Sequence, residues 1–280
     1  RLPGRALVVG AEHVSFSAMV TLAHAGADVV ALVTELPRQQ SYAAFALGAL
    51  ARWRVPVWTS TVLRRVDGRD RLTAVDVADA RTGEVRRVEC DTLVFTGDWI
   101  PDHELARAAG IAIDPGTRGP AVDTSLETSA RNVFAAGNLV HAAEIADVAA
   151  LDGIHAARQI AAALRGRRPA ATPEAPDHAS ELAAHRVPLT AEPPLAWISP
   201  NAIRFAIPAD AAPVPPPRGR FLLRSQVFQH RAALEVRQGD RVLARQRARL
   251  IPGRPVHLDA AWLARVRPSD GPVLVALANG

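Results

Sequence analysis

Val133-Phe134-Ala135-Ala136-Gly137-Asn138, followed after a short gap by Ala149-Ala150-Leu151-Asp152-Gly153-Ile154-His155-Ala156-Ala157, is the stretch on which the fold turns. Residues 133–136 read as an apolar strand that runs into Gly137, and an Ala-rich helix is expected from about Glu144. A strand that ends on Gly and feeds a helix brings backbone close to whatever lies above it. It also leaves the first helical N–H groups without carbonyl partners. Such a corner suits anionic or electron-rich ligands. Its plainer reading is a β–turn–α packing corner.

Toward the N-terminus, strand and helix alternate. Residues 5–10 form an apolar strand and 14–25 a helix that ends before Gly26, a residue suited to the left-handed turn after a helix. Residues 28–34, 39–54 and 55–61 continue as strand, helix and strand. That βαβαβ order predicts a parallel sheet with right-handed crossovers. Residues 72–79 and 85–89 alternate around Arg81-Thr82-Gly83 and read as a hairpin, before an apolar strand over 92–96 that ends at Gly97. Short strand segments are expected over 111–127.

Toward the C-terminus, residues 166–195 carry Pro169, Pro173, Pro176, Pro188, Pro193 and Pro194 and read as a linker or extended crossing. Residues 221–228, 232–238, 241–250, 256–258 and 273–277 are strand-like. Gln238-Gly239-Asp240 makes a hairpin turn, and Asp259 is expected to cap a short helical turn. The spacing predicts a small β-sandwich used for packing or partner contact.

Composition sets the bounds. A chain of 280 residues suits two or three domains, and its 49% hydrophobic content is globular. No apolar run reaches the ~18–20 residues of a membrane span, and no leader-like pattern opens the chain, so no membrane span and a cytoplasmic location are expected. All 33 basic residues are Arg, and the net charge of +5 is scattered. The densest cluster, Arg165-Gly166-Arg167-Arg168, falls where a helix should end and cations favour the helix dipole. No aromatic interleaving accompanies it, which argues against nucleic-acid binding. Cys90 is the only cysteine, so a dithiol pair within the chain is excluded. Its place at the start of an apolar strand predicts a buried structural thiol. The histidines show no paired ligand spacing, and no metal site is expected.

The 133–157 stretch resembles the second FAD-contacting segment of the pyridine nucleotide-disulfide oxidoreductase superfamily. The resemblance is carried by Thr128-Ser129, Val133-Phe134-Ala135, Gly137, Ala149, Gly153, Ala156 and Ala157; Asn138 stands where that family usually has Asp. It extends from about residue 5 to 165, and Asp98 to Leu105 resembles the segment after the family's returning strand. The resemblance implies FAD as cofactor. Residue 138 would meet the ribityl–phosphate region, and the backbone around Ala146, Asp147 and Val148 the electron-rich edge of the flavin. It also implies an α/β chain of Rossmann-like FAD/NAD(P)-binding domains with a parallel sheet and β-meander, plus the small β-sandwich-like domain. Residues 1–90 become an NAD(P)-binding-like domain, 91–165 the second half of an FAD-binding domain, 166–195 the linker and 196–280 the β domain. Within this family, a chain opening directly on the inserted nicotinamide domain implies the C-terminal portion of a longer flavoprotein, or a short subunit without the first FAD half.

Gly10-Ala11-Glu12-His13-Val14-Ser15 occupies the place of the dinucleotide fingerprint but keeps only its first Gly. Ser15 is small enough for the third position, whereas Glu12 adds bulk and negative charge at the second. Glu35, after the second strand, is placed to accept a ribose hydroxyl. NAD(P) binding and a retained fold with a lost site both remain open. His141, Glu144 and Asp147 follow the Gly137 corner, where they either approach a substrate or serve as ordinary first-turn polar groups. The expected function is an FAD-dependent oxidoreductase that takes a hydride from a small substrate, an amine, amino acid or opine-like compound. The alternatives are an NAD(P)H-dependent flavin reductase and a non-catalytic scaffold subunit. The Gly10 loop resembles subunits of bacterial heteromeric amino-acid and opine dehydrogenases, which implies a partner subunit.

Overall fold

The computed structural model describes residues 3–97, 99–141, 145–166, 185–205 and 212–278. The chain divides into two compact units, Arg1–Trp99 and Ile100–Gly280.

In the first unit, β1 (Arg5–Val9), α1 (His13–His24), β2 (Asp28–Val33), α2 (Ala43–Trp53) and β3 (Val57–Trp58) follow in turn. Next come β4 (Thr61–Gly68), β5 (Leu72–Asp79), β6 (Val85–Glu89) and β7 (Thr92–Phe95). The main sheet has the order β3-β2-β1-β7, all parallel. It reads as continuous apolar runs because it is covered on both faces. Val8 and Leu32 pack with Phe16, Met19, Ala46 and Ala49 of the helices. Their neighbours Leu7, Ala31 and Val33 pack with Val75, Val77, Val88 and Cys90 of the meander segment. Gly26, at φ +83°, ends α1 as its sequence position predicts.

Two boundaries differ from expectation. The third strand contracts to Val57–Trp58, and Thr61 opens a meander strand, so the hairpin becomes the antiparallel sheet β4-β5-β6. A register shift between Leu63 and Arg65 breaks the alternation that would have marked β4 in the sequence. The strand at 92–95, placed at the head of the 91–165 segment, pairs with β1 and belongs to the first sheet. Cys90 is buried and free, and burial pushes its thiol pKa up.

The second unit begins with α3 (Glu104–Ala108), a bridged loop region, a 3-10 turn at Gly137–Leu139 and α4 (Ala146–Gly166). Then follow β8 (Arg186–Ala191), β9 (Leu195–Ser199), β10 (Ala202–Arg204), β11 (Arg220–Ser225), β12 (Gln229–Gln238), β13 (Arg241–Leu250), β14 (Val256–Asp259) and β15 (Val273–Leu277). A five-stranded sheet, β10-β8-β15-β12-β13, and a three-stranded sheet, β14-β11-β9, share one core. Inside it, Phe221 stacks on the buried Trp262 at 5.3 Å. This is the sandwich-like β structure the strand spacing predicts.

Several expectations change here. Residues 186–191, assigned to the linker, form β8: Val187 and Leu189 turn inward while Pro188 stays exposed between them. Residues 167–184 of that segment, and Glu144, lie outside the described residues. Asp259 is the last residue of β14, and the following turn has Ala260 as its N-cap, with no side-chain cap bond. The strand expected at 133–136 is reduced to a bridge between Phe134 and Glu127, and the segments at 111–127 to bridges such as Ile113 with Pro120. Their backbone groups are satisfied in turns instead, as when Thr128 N–H donates to Val133 O. Among the described residues, no helix is long and apolar enough to cross a membrane.

Candidate functional site

The Gly137 corner is built by backbone. Gly137 is buried at φ +70°, and a Cβ there would stand 3.2 Å from Ala149 Cβ, so both conformation and the approach of α4 require glycine. Asn138 follows on the 3-10 turn and is exposed. At the start of α4, Val148 and Ala149 N–H donate to Ile145 O, and Ala146 and Asp147 are the first residues of the helix. Asp147 adds an acidic side chain to this first turn. The corner therefore combines a helix N-terminus with a primary amide, groups of a kind suited to phosphate or to an electron-rich ring edge.

A buried network fixes the loops beneath the corner. Asp123 Oδ2 accepts from Arg186 Nε at 2.7 Å and Arg204 Nη1 at 3.2 Å; Oδ1 accepts from Ser125 N at 2.8 Å and Ser125 Oγ at 2.5 Å. Glu127 pairs with Arg204 and accepts from Asn132 N at 2.6 Å. Arg186 also donates to the carbonyls of Glu127 and Thr128. The paired residues lie some sixty to eighty positions apart in sequence, and no spacing pattern announces them. Thr128 Oγ1 accepts from Ala130 N, Ser129 Oγ accepts from Ala112 N, and His155 Nε2 donates to Thr124 O at 2.9 Å. Gly119 lies where a Cβ would come within 2.4 Å of the Leu139 and Val140 carbonyl oxygens. Gly119→Ala is expected to push the 139–140 backbone away and cost about 2 kcal/mol, measured by urea denaturation.

His141 is buried rather than facing a substrate. It stacks on Trp197 at 5.9 Å, and its Nε2 lies 3.7 Å from Asp152 Oδ2. Asp152 is itself held by Arg218 at 2.5 Å. Burial, with Arg218 and Arg224 nearby, pushes the His141 pKa down to about 4. Burial raises the Asp152 carboxyl despite its Arg218 partner. This set clasps α4 to the β structure. Among the described residues, no group of three His, Cys, Asp or Glu side chains is placed to hold a metal.

The second corner joins β1 to α1. Gly10 has φ +139°, and a Cβ there would meet Thr96 Oγ1 at 2.2 Å, Ser15 Oγ at 2.6 Å and Glu12 Oε2 at 2.8 Å. Ser15 is fully buried, and its hydroxyl bonds Thr96 Oγ1 at 2.7 Å, tying α1 to the end of β7. Gln40 N–H donates to Ala11 O at 2.9 Å and holds the loop after β2 against this corner. Glu35 is exposed on that loop. The side chains of Thr96, Ser15 and Glu12 thus lie close against the Gly10 backbone.

A parallel Rossmann-like sheet with a β-meander precedes a glycine corner on a long helix in one chain, and similarity to known proteins agrees. The thioredoxin reductases of T. acidophilum and Lactococcus lactis share the fold, each with a TM-score of 0.50, at 21% and 18% identity; each match covers 58% of this chain and 53% of theirs. The biphenyl dioxygenase system ferredoxin–NAD(+) reductase component of Paraburkholderia xenovorans (strain LB400) is 30% identical over 199 residues, 66% of this chain and 46% of that protein. The chain spans about half the length of these relatives. The family model for pyridine nucleotide-disulphide oxidoreductases matches residues 1–160, both corners included, and the chain belongs to that family.

Proposed function

We propose that this chain serves a cytoplasmic FAD-dependent oxidoreductase in which NAD(P)H reduces the flavin and the electrons pass on to a further acceptor. The observation that carries this reading is the occurrence of a nucleotide-type β1–α1 corner and the Gly137–α4 corner in one chain. The ferredoxin–NAD(+) reductase named above supports a reaction that couples a nicotinamide nucleotide to a second redox carrier. With Cys90 alone and buried, this chain holds no dithiol pair for a thiol–disulfide relay.

FAD, when bound, supplies a two-electron acceptor that releases electrons singly or in pairs. The first turn of α4, with Ala146 and Asp147, would place the positive end of the helix dipole at the ring edge and favour negative charge there. Asn138 would face the cofactor's phosphate region without the repulsion a carboxylate would add. A second reading is favoured by Glu12, whose carboxylate lies across the nucleotide loop: a small amine, amino acid or opine-like substrate then delivers the hydride, with a partner subunit supplying its site.

Anaerobic titration of the FAD-loaded protein with NADH and NADPH separates these readings. Loss of the oxidised-flavin absorbance on adding either nucleotide supports the first reading. Bleaching by an amine or amino acid alone selects the second. A full-length, well-folded protein that retains no FAD leaves a scaffold role.

A further inference from the structure

Glu12 occupies the place where a nucleotide-binding loop carries its second glycine, the point of closest backbone approach to a diphosphate. It is the N-cap residue of α1, with φ −88° and ψ −177°, yet its side chain makes no cap bond. The carboxylate turns back across the loop. Its Oε2 lies 2.8 Å from the position of a Cβ on Gly10, and Oε1 is buried with no hydrogen-bond partner. A buried carboxylate oxygen without a donor is costly, and the helix N–H groups beside it would satisfy a capping side chain. Helix N-terminal N–H groups are the donors an incoming phosphate uses, and here a charge of the phosphate's own sign lies over the Gly10 backbone beside them. The neighbouring His13 faces Ser41, Tyr42 and Phe45.

We propose that Glu12 determines the nucleotide affinity of this loop: its carboxylate stands in the place of the dinucleotide's diphosphate and must be displaced before NAD(P)H binds. This inference rests on the proposed use of NAD(P)H and names the residue that limits it. It accounts for a loop that keeps its first glycine, with Ser15 buried at the third position, while the second position works against the ligand. NAD(P)H binding is accordingly weak in the native chain and is released by removing one side chain.

The test measures ADP-ribose binding by calorimetry, since this probe carries the diphosphate and both riboses but no redox-active ring. Glu12→Gly keeps a residue favoured at an N-cap, so α1 is preserved. Glu12→Gln keeps the bulk and removes the charge. The expected result is binding tighter by about tenfold or more in Glu12→Gly, the scale of removing one like charge beside a phosphate, with Glu12→Gln in between. Equal, measurable affinity in the native protein and Glu12→Gly overturns the role of Glu12 and leaves reduction by NAD(P)H standing. Failure of all three proteins to bind overturns both.

Discussion

Replacing Asp123 by Ala is expected to destabilise the second unit by about 3–5 kcal/mol, the range for removing one partner from a buried ion pair. The Asp123 side chain is fully buried, and its two oxygens serve Arg186, Arg204 and the Ser125 turn at once. Its loss leaves Glu127 alone to balance two guanidinium groups and orphans the Ser125 N–H. For a unit of this size the midpoint of thermal unfolding is expected to fall by about 10 °C. Asp123→Asn, which keeps an acceptor for Ser125 but loses the charge, should fall between the two. Urea denaturation measures all three, and an Asp123→Ala loss below about 1 kcal/mol would show that the network contributes little beyond a surface ion pair.

Acid is expected to weaken the same unit through His141. Its pKa is about 4 in the folded protein against an ordinary 6.5, because burial and the charges of Arg218 and Arg224 disfavour the imidazolium. The unfolded chain therefore binds the proton first as pH falls. The stabilisation is fully present above pH 6.5 and is lost progressively toward about pH 4, with a total near 3 kcal/mol. Asp152, raised by burial, acts in the opposite sense, since its folded-state carboxyl takes up a proton more readily than the unfolded one. Comparing denaturation from pH 7 to pH 4 in the native protein and His141→Gln isolates the histidine. The variant should lose most of the acid dependence in this window, and an unchanged profile would refute the assignment.

How much of the site could be read in advance varies by corner. Gly137 was legible because a positive φ and close approach to a helix select one residue type, and its spacing to Ala149 and Gly153 follows the helix itself. Gly10 was legible for the same reason. The pose of Glu12 was not, since its type warned of negative charge but not that the carboxylate would fold over Gly10 instead of capping α1. His141 and Asp147 both follow the corner within a short stretch of sequence. Only the packing of Trp197 and Asp152 around His141 separates a buried clasp residue from an exposed first-turn acid.

The alternation of apolar runs determined the parallel sheet, the helices between its strands, and most of the C-terminal strands. These depend on local periodicity and on which residues tolerate burial on one face or two. Tertiary structure decided what depends on partners distant in sequence. It showed that β7 completes the first sheet, that β8 emerges from a proline-rich stretch, and that residues 133–136 remain a bridge. It also showed that Asp123 and Glu127 are neutralised by Arg186 and Arg204. A strand needs neighbours for its backbone groups, and a buried charge needs a counter-charge. Neither partner is visible in the residues that flank it along the chain.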